Sequence, residues 1–266
     1  ARRDKVLAEL SHTGAQPTAI APDGLRIAPI AGDGRHPNVQ AEAAFQKGWF
    51  EVQDEGSQIV AGLAGAKPGM QVLDYCAGAG GKTLALSAAM DNHGQVFAQD
   101  AEKVRLAPIF DRLRRSGNRN VQVVTKPSEL AALSGHMDIV LTDAPCTGSG
   151  TWRRRPDAKW RLTQRQLDAR ITEQAAILDT ARDFVKPGGL LVYVTCSVFD
   201  EENGAQTAAF RQRDPRFTAI DHRALWRDHF PGHEAAARID PDGGIRLSPA
   251  RSGTDGFYFY AMRRQA

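Results

Sequence analysis

Two cysteines stand where free thiols could do chemistry. Cys146 follows an apolar run at 137–142, and Cys196 follows a second run at 190–195, about fifty residues later. A helical pattern at 164–185 separates the runs, which predicts a strand–helix–strand unit with a right-handed parallel crossover. The carboxyl ends of parallel strands share one edge of an open sheet, where ligands bind. We therefore expect both thiols to face one cleft.

A glycine-rich turn at 76–83, with the sequence CAGAGGKT, offers a place for a nucleotide-like ligand. It is not a P-loop, because Cys76 occupies the position five residues before Gly81 where a glycine is needed, and the dinucleotide pattern fails at its last position. What remains is a glycine turn followed about 20 residues later by Asp100, an acid suited to ribose hydroxyls. This pattern fits S-adenosylmethionine (SAM) as well as NAD. Lys82 begins a helix, where the dipole favours anions, which indicates that its side chain faces a site.

The three cysteines have different settings. Free cysteines are mostly buried core residues, and we interpret Cys76, at the tail of the first predicted strand, in this way. Cys146 and Cys196 instead follow strand ends, in polar turns of small residues. Asp143 precedes Cys146 by three residues and an arginine cluster follows it, a setting that favours thiolate formation.

A thiol beside SAM has one clear use. Carbon 5 of a pyrimidine is a poor nucleophile, but thiolate addition to carbon 6 makes the ring enamine-like, so that carbon 5 can attack the methyl sulfonium. A base then removes the carbon 5 proton and the thiol leaves, and the target must be lifted from its stack to enter such a pocket. Asp143, if protonated by its surroundings, could stabilise the adduct through the ring edge. Either Cys146 or Cys196 could be the attacker on these grounds.

The composition is that of a globular protein. The chain has 266 residues, of which 42% are hydrophobic and 24% charged. No apolar run approaches the ~18 residues of a membrane span, and no secretory signal pattern opens the sequence. Three cysteines without a signal favour free thiols in the cytoplasm. The chain begins at Ala1 without methionine, so we expect a fragment of a longer protein.

Strand and helix patterns alternate from Gly69 onward, which predicts an α/β fold with a doubly wound parallel sheet. The predicted strands are 72–75, 95–99, 121–124, 137–142, 190–195 and 257–262, and the predicted helices are one that ends at 90, 101–116, 164–185 and 201–212. Tyr258, Phe259 and Tyr260 are expected to be core residues. Residues 67–266 form the predicted catalytic domain.

The sequence of residues 1–66 predicts a small amino-terminal α+β region that helps to bind RNA. It contains a helix at 4–10, a hairpin at 45–54 and a helix at 55–63. Short strands and turns between them are punctuated by Pro17, Pro22, Gly24, Pro29, Gly32, Gly34 and Pro37.

The net charge is only +3, but basic residues cluster. One cluster is Arg112, Arg114, Arg115 and Arg119, and the other is Arg153, Arg154, Arg155, Lys159 and Arg161. The second cluster follows the Cys146 loop, where a polyanionic substrate would be held, although a solvated surface run is the alternative. Trp160 is expected to pack against the domain rather than to stack on a base. The seven histidines, His12, His36, His93, His136, His222, His229 and His233, show no metal-ligand spacing, so no metal is predicted.

Five linked motifs make residues 45–262 resemble the RsmB/NOL/Sun family of RNA cytosine-5 methyltransferases. They are the stretches at 74–83, 143–150, 154–160, 194–197 and 253–258, and the segment at 50–58 is similar to the family's entry segment. The resemblance implies a seven-stranded class I methyltransferase sheet of Rossmann-like topology, with SAM as cofactor and RNA as partner.

The resemblance also implies roles that the residues alone leave open. Cys196, in the Thr-Cys-Ser motif, would attack carbon 6, and Cys146 would assist product release. Asp143 and Lys82 match positions that contact the base and organise the site, and Asp100 matches the acid on the SAM ribose. The implied cofactor-binding residues are Cys76, Ala77, Gly78, Gly80, Gly81, Lys82, Asp100, Arg105 and Asp143. The implied RNA-binding residues are Arg153, Arg154, Arg155 and Lys159.

Two departures accompany the resemblance. The family usually has an acid just after the third strand, near the adenine, whereas this chain has none before Glu129. Bacterial relatives often carry an additional NusB-like RNA-binding domain, which this chain lacks. The resulting expectation is a monomeric cytoplasmic methyltransferase for cytosine carbon 5, with ribosomal RNA preferred and transfer RNA as another possible substrate. The alternatives are a DNA cytosine-5 enzyme and a non-catalytic RNA-binding scaffold.

Overall fold

A mixed β-sheet organises the chain in the computed structural model, which describes residues 1–28 and 34–266. Within these residues the sheet has nine strands in the order β5-β4-β3-β6-β7-β11-β10-β9, with β8 paired to β11. The strands are β3 (Gln71–Asp74), β4 (Gln95–Ala98), β5 (Val121–Val123), β6 (Met137–Asp143), β7 (Val185–Thr195), β8 (Phe217–Ala219), β9 (Arg238–Ile239), β10 (Ile245–Leu247) and β11 (Phe257–Arg264). A separate two-stranded sheet joins β1 (Gln16–Pro17) to β2 (Leu25–Arg26).

Strands β3 to β7 are mutually parallel, and β11 runs antiparallel to β7. The order reverses at β3, which lies between β4 and β6. In open α/β sheets this reversal opens a crevice at the carboxyl ends of the strands, where ligands bind. The glycine turn and both thiols follow strands at this crevice.

Twelve α-helices lie among the described residues. They are α1 (Arg3–Glu9), α2 (Ala43–Gln46), α3 (Glu55–Leu63), α4 (Gly81–Ala89), α5 (Lys103–Leu106), α6 (Ile109–Ser116), α7 (Pro127–Ala131), α8 (Pro156–Arg161), α9 (Gln164–Ala181), α10 (Gly204–Arg213), α11 (His222–His229) and α12 (Pro249–Ser252). Helices α3, α4 and α11 cover one face of the sheet, and α9 and α10 cover the other. No helix among the described residues is long and apolar enough to cross a membrane.

Two apolar layers sandwich the sheet, because successive side chains of a strand point to opposite faces. In β7, Val192 and Val194 belong to the layer under α3, α4 and α11, whereas Leu191 and Tyr193 belong to the layer under α9 and α10. The predicted doubly wound α/β fold is confirmed. Tyr258, Phe259 and Tyr260 are fully buried, as predicted.

Several element predictions are wrong, each for a local reason. The sheet has nine strands among the described residues rather than seven, because β8, β9 and β10 are only two or three residues long, too short for a period to be recognised. The helix predicted at 101–116 divides at Pro108, whose ring nitrogen has no proton to donate, into α5 and α6. The helix predicted at 164–185 ends at Ala181, and Val185 already belongs to β7.

The hairpin predicted at 45–54 is absent. Phe45 lies in α2, and Gly48 follows this helix with a φ of +69°, so the stretch is a helix end and not a strand pair. A side chain on Gly48 would place its Cβ 1.8 Å from the carbonyl oxygen of Arg115, which shows how closely this turn approaches α6.

The amino-terminal region has a small core of its own, formed by Val6, Leu10 and Ala15. Its predicted turn residues Pro29 and Gly32 lie outside the described residues. Helix α3, which also precedes the predicted boundary at residue 66, packs its residues Ile59 and Val60 into the layer against the sheet. The division of the chain at residue 66 stays a prediction.

Candidate active site

The two thiols predicted to share a cleft lie next to each other. The sulfur of Cys146 is 3.4 Å from the sulfur of Cys196. Their strands β6 and β7 are parallel neighbours, and Asp143 pairs with Val194 in the register, so both loops leave the sheet at the same edge. Backbone bonds fix the loops together, because the amide of Gly150 donates to the carbonyl oxygen of Cys196 at 2.9 Å.

A buried cation–anion pair faces the thiols. Lys82 begins α4 with its side chain only 7% exposed, and its Nζ lies 2.6 Å from Oδ2 of Asp143. Burial disfavours the charged amine, but the carboxylates of Asp143 and Asp74 outweigh it, and the pKa of Lys82 is raised. Lys82 is therefore a fixed positive charge in the crevice.

The pKa values of the two cysteines are shifted in opposite directions. The hydrogen bond between the two sulfurs is the largest effect that lowers the pKa of Cys196, and Lys82 acts in the same direction, while burial and Asp143 oppose them. The same hydrogen bond raises the pKa of Cys146, together with burial and the negative charges of Cys196 and Glu202.

The glycine turn and Asp100 are joined, as their predicted role in one ligand site requires. The carboxylate of Asp100 accepts from the amide of Gly78 at 2.9 Å, and Arg105 lies 3.7 Å from its Oδ2. Gly78 and Gly80 have φ values of +51° and +83°, a left-handed conformation that favours glycine. A Cβ on Gly80 would also lie 2.5 Å from the side chain of Ile109, so the turn can pack on α6 only if residue 80 has no side chain.

Asp74 sits beneath the glycine turn. It accepts from the hydroxyl of Thr83 at 2.6 Å, and burial raises the pKa of its carboxyl to about 7. Its other oxygen, Oδ1, is buried and has no partner among the described residues. A buried polar atom without a partner indicates room for a ligand group or water.

A cavity of about 240 Å³ adjoins Asp100. The strand side contributes Tyr75, Cys76, Gln99, Asp100, Ala101, Glu102, Arg105 and Pro145, and α9 contributes Glu173, Ala176, Ile177 and Thr180. Sequence analysis missed the α9 wall. The spacing i, i+3, i+4, i+7 is its only signal, and that spacing is also typical of any helix packed on a sheet.

The arginine cluster divides into two groups. Arg153 and Arg154 both bind the fully buried Asp255, at 3.0 Å and 2.7 Å, and thereby attach the loop after Cys146 to the turn before β11. Arg155 and Lys159 are exposed and form no ion pair with the described residues. Within this cluster, Arg155 and Lys159 are therefore the basic side chains that face outward with no carboxylate partner among the described residues.

Trp160 does not pack against the domain, and that expectation is wrong. It lies on the outer face of the six-residue helix α8, 82% exposed, and Nζ of Lys159 is 5.4 Å from its ring. Helix α8 begins at a proline and contributes no buried residue, so no apolar face draws Trp160 inward. Among the described residues, no group of three His, Cys, Asp or Glu side chains could hold a metal ion.

The sequence model of the family described as 16S rRNA methyltransferase RsmB/F matches residues 63–263. This chain belongs to the RsmB/F family. It is 34% identical over 270 residues to ribosomal RNA small subunit methyltransferase B of Erwinia tasmaniensis, covering 99% of this chain and 57% of that protein. The chain spans about half the length of the curated relatives it matches.

Solved structures agree with the RsmB/F assignment. The chain is similar to the structure of PH0851 with a TM-score of 0.85 and 30% identity, over 99% of this chain and 57% of that one. It is also similar to NSun6 from Pyrococcus horikoshii, solved with SFG, a SAM analogue, with a TM-score of 0.74 and 28% identity, over 86% and 57% of the two chains. The class I methyltransferase fold is thereby confirmed.

The acid that the RsmB/F resemblance places after the third strand of the sheet core is missing here. Val124 and Thr125 follow β5, and the nearest acid, Glu129, turns back so that its carboxylate accepts from the amide of Thr125 at 3.4 Å. Glu129 does not line the cavity beside Asp100. The acidic residue of α9 that lines it is Glu173, on the opposite wall.

Proposed function

We propose that this chain transfers a methyl group from SAM to carbon 5 of a cytosine in RNA, with small-subunit ribosomal RNA as the preferred substrate. The observation that carries the proposal is the pair of thiols, 3.4 Å apart, beside the ion pair of Lys82 and Asp143. The substrate class is supported by the RsmB/F family match and by relatives named ribosomal RNA small subunit methyltransferase B. Transfer RNA remains the second candidate substrate.

SAM fits the residues present. Asp100 offers carboxylate oxygens suited to ribose hydroxyls, the glycine turn brings backbone close to a ligand, and Asp74 holds an unpartnered oxygen beneath it. Lys82 and Asp143 border the same crevice, and Cys76, Ala77, Gly80, Gly81 and Arg105 complete the proposed set. When bound, SAM supplies an electrophilic methyl group.

The chain's own residues supply the remaining chemistry. The Cys196 thiolate forms a bond to carbon 6 of the cytosine, and the electron pair moves towards carbon 5, which then takes the methyl group. Asp143, held by Lys82, bonds to the ring edge and fixes the base. Cys146 assists release: a base takes the carbon 5 proton, and the bond between Cys196 and carbon 6 breaks. A cytosine must be unstacked to reach this crevice.

RNA is held by the outer face of α8. Lys159→Ala and Arg155→Ala are each expected to lower RNA affinity and to reduce the slope of log affinity against log salt by about 0.7, the value for one phosphate contact on a single strand. Trp160→Ala is expected to weaken binding without changing the slope, because stacking releases no counterions. The measurement is fluorescence anisotropy with labelled RNA at several salt concentrations.

Arg161→Ala is the matched control for these α8 variants. Its guanidinium pairs with Asp157 on the same helix, so its effect on the slope should be smaller. Equal slopes for Lys159→Ala and the unmodified chain would contradict a phosphate contact by Lys159. Arg153 and Arg154, engaged by Asp255, are proposed to shape this surface more than to bind phosphate.

The function itself is tested by methyl transfer. With methyl-labelled SAM and total RNA from an unmethylated source, label is expected in 5-methylcytosine of small-subunit ribosomal RNA. Asp100→Ala should lower SAM affinity about tenfold or more, because the ribose contact is lost. In a parallel assay with unmethylated DNA, label in the DNA would favour a DNA cytosine-5 enzyme. SAM binding without methyl transfer to either nucleic acid would favour a non-catalytic scaffold. We also propose a monomer that acts in the cytoplasm, where its thiols stay reduced.

A further inference from the structure

Glu202 is a buried carboxylate that the mechanism above does not use. It is 0% exposed and lies in the turn that follows the Cys196 loop. Its two oxygens accept from the amide of Thr147 at 2.8 Å and from the Thr147 hydroxyl at 2.6 Å. Burial of a carboxylate costs free energy unless its oxygens are hydrogen-bonded. The contacts with Thr147 therefore tie Glu202 to the residue that follows Cys146.

Gln174 of α9 completes the contact. Its amide donates to Glu202 at 3.0 Å and to the carbonyl oxygen of Pro145 at 2.9 Å. The residues on both sides of Cys146 are therefore held, Pro145 by Gln174 and Thr147 by Glu202. The hydroxyl of Tyr193 in turn donates to the carbonyl oxygen of Glu202 at 2.7 Å, which anchors the turn to β7.

The charged groups around the two sulfurs are arranged unequally. On the side of Cys196 lie Lys82, Asp143 and Arg154, and Arg154 is itself paired with Asp255. On the side of Cys146 lie Glu202 and the neutral phenol of Tyr193. Glu202 has no cation among its bonded partners, which are an amide, a hydroxyl and a side-chain amide.

We propose that Glu202 is a positioning residue that holds the Cys146 loop and, through its charge, keeps the proton shared by the two sulfurs on Cys146. Cys196 is thereby left as the thiolate. A nearby charge is needed to distinguish the two cysteines, because the hydrogen bond between their sulfurs, 3.4 Å apart, does not by itself decide which sulfur carries the proton. The inference rests on the proposed function only where it names Cys196 as the nucleophile.

Alkylation of the free protein tests the inference without RNA or SAM, so its result does not depend on methyl transfer. Cys146 and Cys196 are both half-buried residues. Iodoacetamide labelling over a pH series, read by mass spectrometry of the two peptides, should modify Cys196 first in the unmodified chain. In Glu202→Gln, which can keep the hydrogen bonds to Thr147 and Gln174, Cys146 should react about three- to tenfold faster at neutral pH, because thiolate reacts and thiol does not.

Two controls separate charge from loop geometry. Glu201→Gln removes the neighbouring exposed charge in the same turn and should leave both labelling profiles unchanged. Thr147→Val removes one hydrogen bond but keeps the Glu202 charge, so the pH midpoint of Cys146 labelling should stay in place. The inference is overturned if a folded Glu202→Gln protein labels as the unmodified chain does, or if Thr147→Val shifts the midpoint as far as Glu202→Gln.

Discussion

Cys196→Ala should reduce methyl transfer by at least about a thousandfold, because the only residue proposed to activate carbon 6 is lost. Cys146→Ala should instead accumulate a covalent complex with RNA, since the bond to Cys196 still forms but release is impaired. The expected difference between the two variants agrees with the charges near each thiol, because Lys82 lowers the pKa of Cys196 and Glu202 raises the pKa of Cys146.

The measurement is a denaturing gel of each variant after incubation with SAM and unmethylated RNA. A slowly migrating band that disappears on nuclease treatment should be present for Cys146→Ala and absent for Cys196→Ala. The double variant is the control, and it should give no band. A nuclease-sensitive band with Cys196→Ala would reverse the two roles and indicate the chemistry of DNA cytosine-5 enzymes.

Gly150→Ala should destabilise the fold by roughly 2–4 kcal/mol, as expected where an added group meets rigid backbone. A Cβ at this position would lie 2.2 Å from the carbonyl oxygen of Gly256 and 2.9 Å from that of Cys196. Neither atom belongs to a flexible side chain. The Cys146 loop must therefore move away from the Cys196 loop, so adduct formation should be lost together with stability.

Urea unfolding followed by circular dichroism measures this effect. Gly62→Ala is the matched control, because it lies on the exposed side of α3 and its Cβ would meet only Phe230, at 3.9 Å. Alanine is the better helix former there and should add about 0.5–1 kcal/mol of stability. An unchanged unfolding midpoint for Gly150→Ala would contradict the close approach of the two loops.

Sequence periodicity predicted the structural features that depend on residues close together in the chain, such as the long strands. The continuous apolar runs of β7 and β11 follow from burial on both faces, and the meeting of Cys146 with Cys196 follows from parallel strands that end at one edge. The hairpin prediction failed where Gly48 ends a helix and does not turn a strand. Short strands such as β9 carry too few residues for any period to appear.

Contacts between distant residues escaped prediction for a different reason. Asp255 binds Arg153 and Arg154 about a hundred positions away, and Glu202 binds Thr147 across 55 positions. In the sequence, Glu202 is an ordinary acid at the start of a helical pattern, and nothing in its spacing indicates burial. Such partners become visible only once the sheet order is known.

The place of β11 also determines when the site can form during synthesis. This strand is inserted between β7 and β10, and Tyr258 pairs with Thr195, the residue before Cys196. It is the last of the described strands to leave the ribosome, and domains fold largely as units as they emerge. A nascent chain that has only reached β10 carries both thiols and can pair β6 with β7, but it lacks the antiparallel strand on the other side of β7. The Cys196 loop therefore gains its support from β11 only after residues 257–264 have been synthesised.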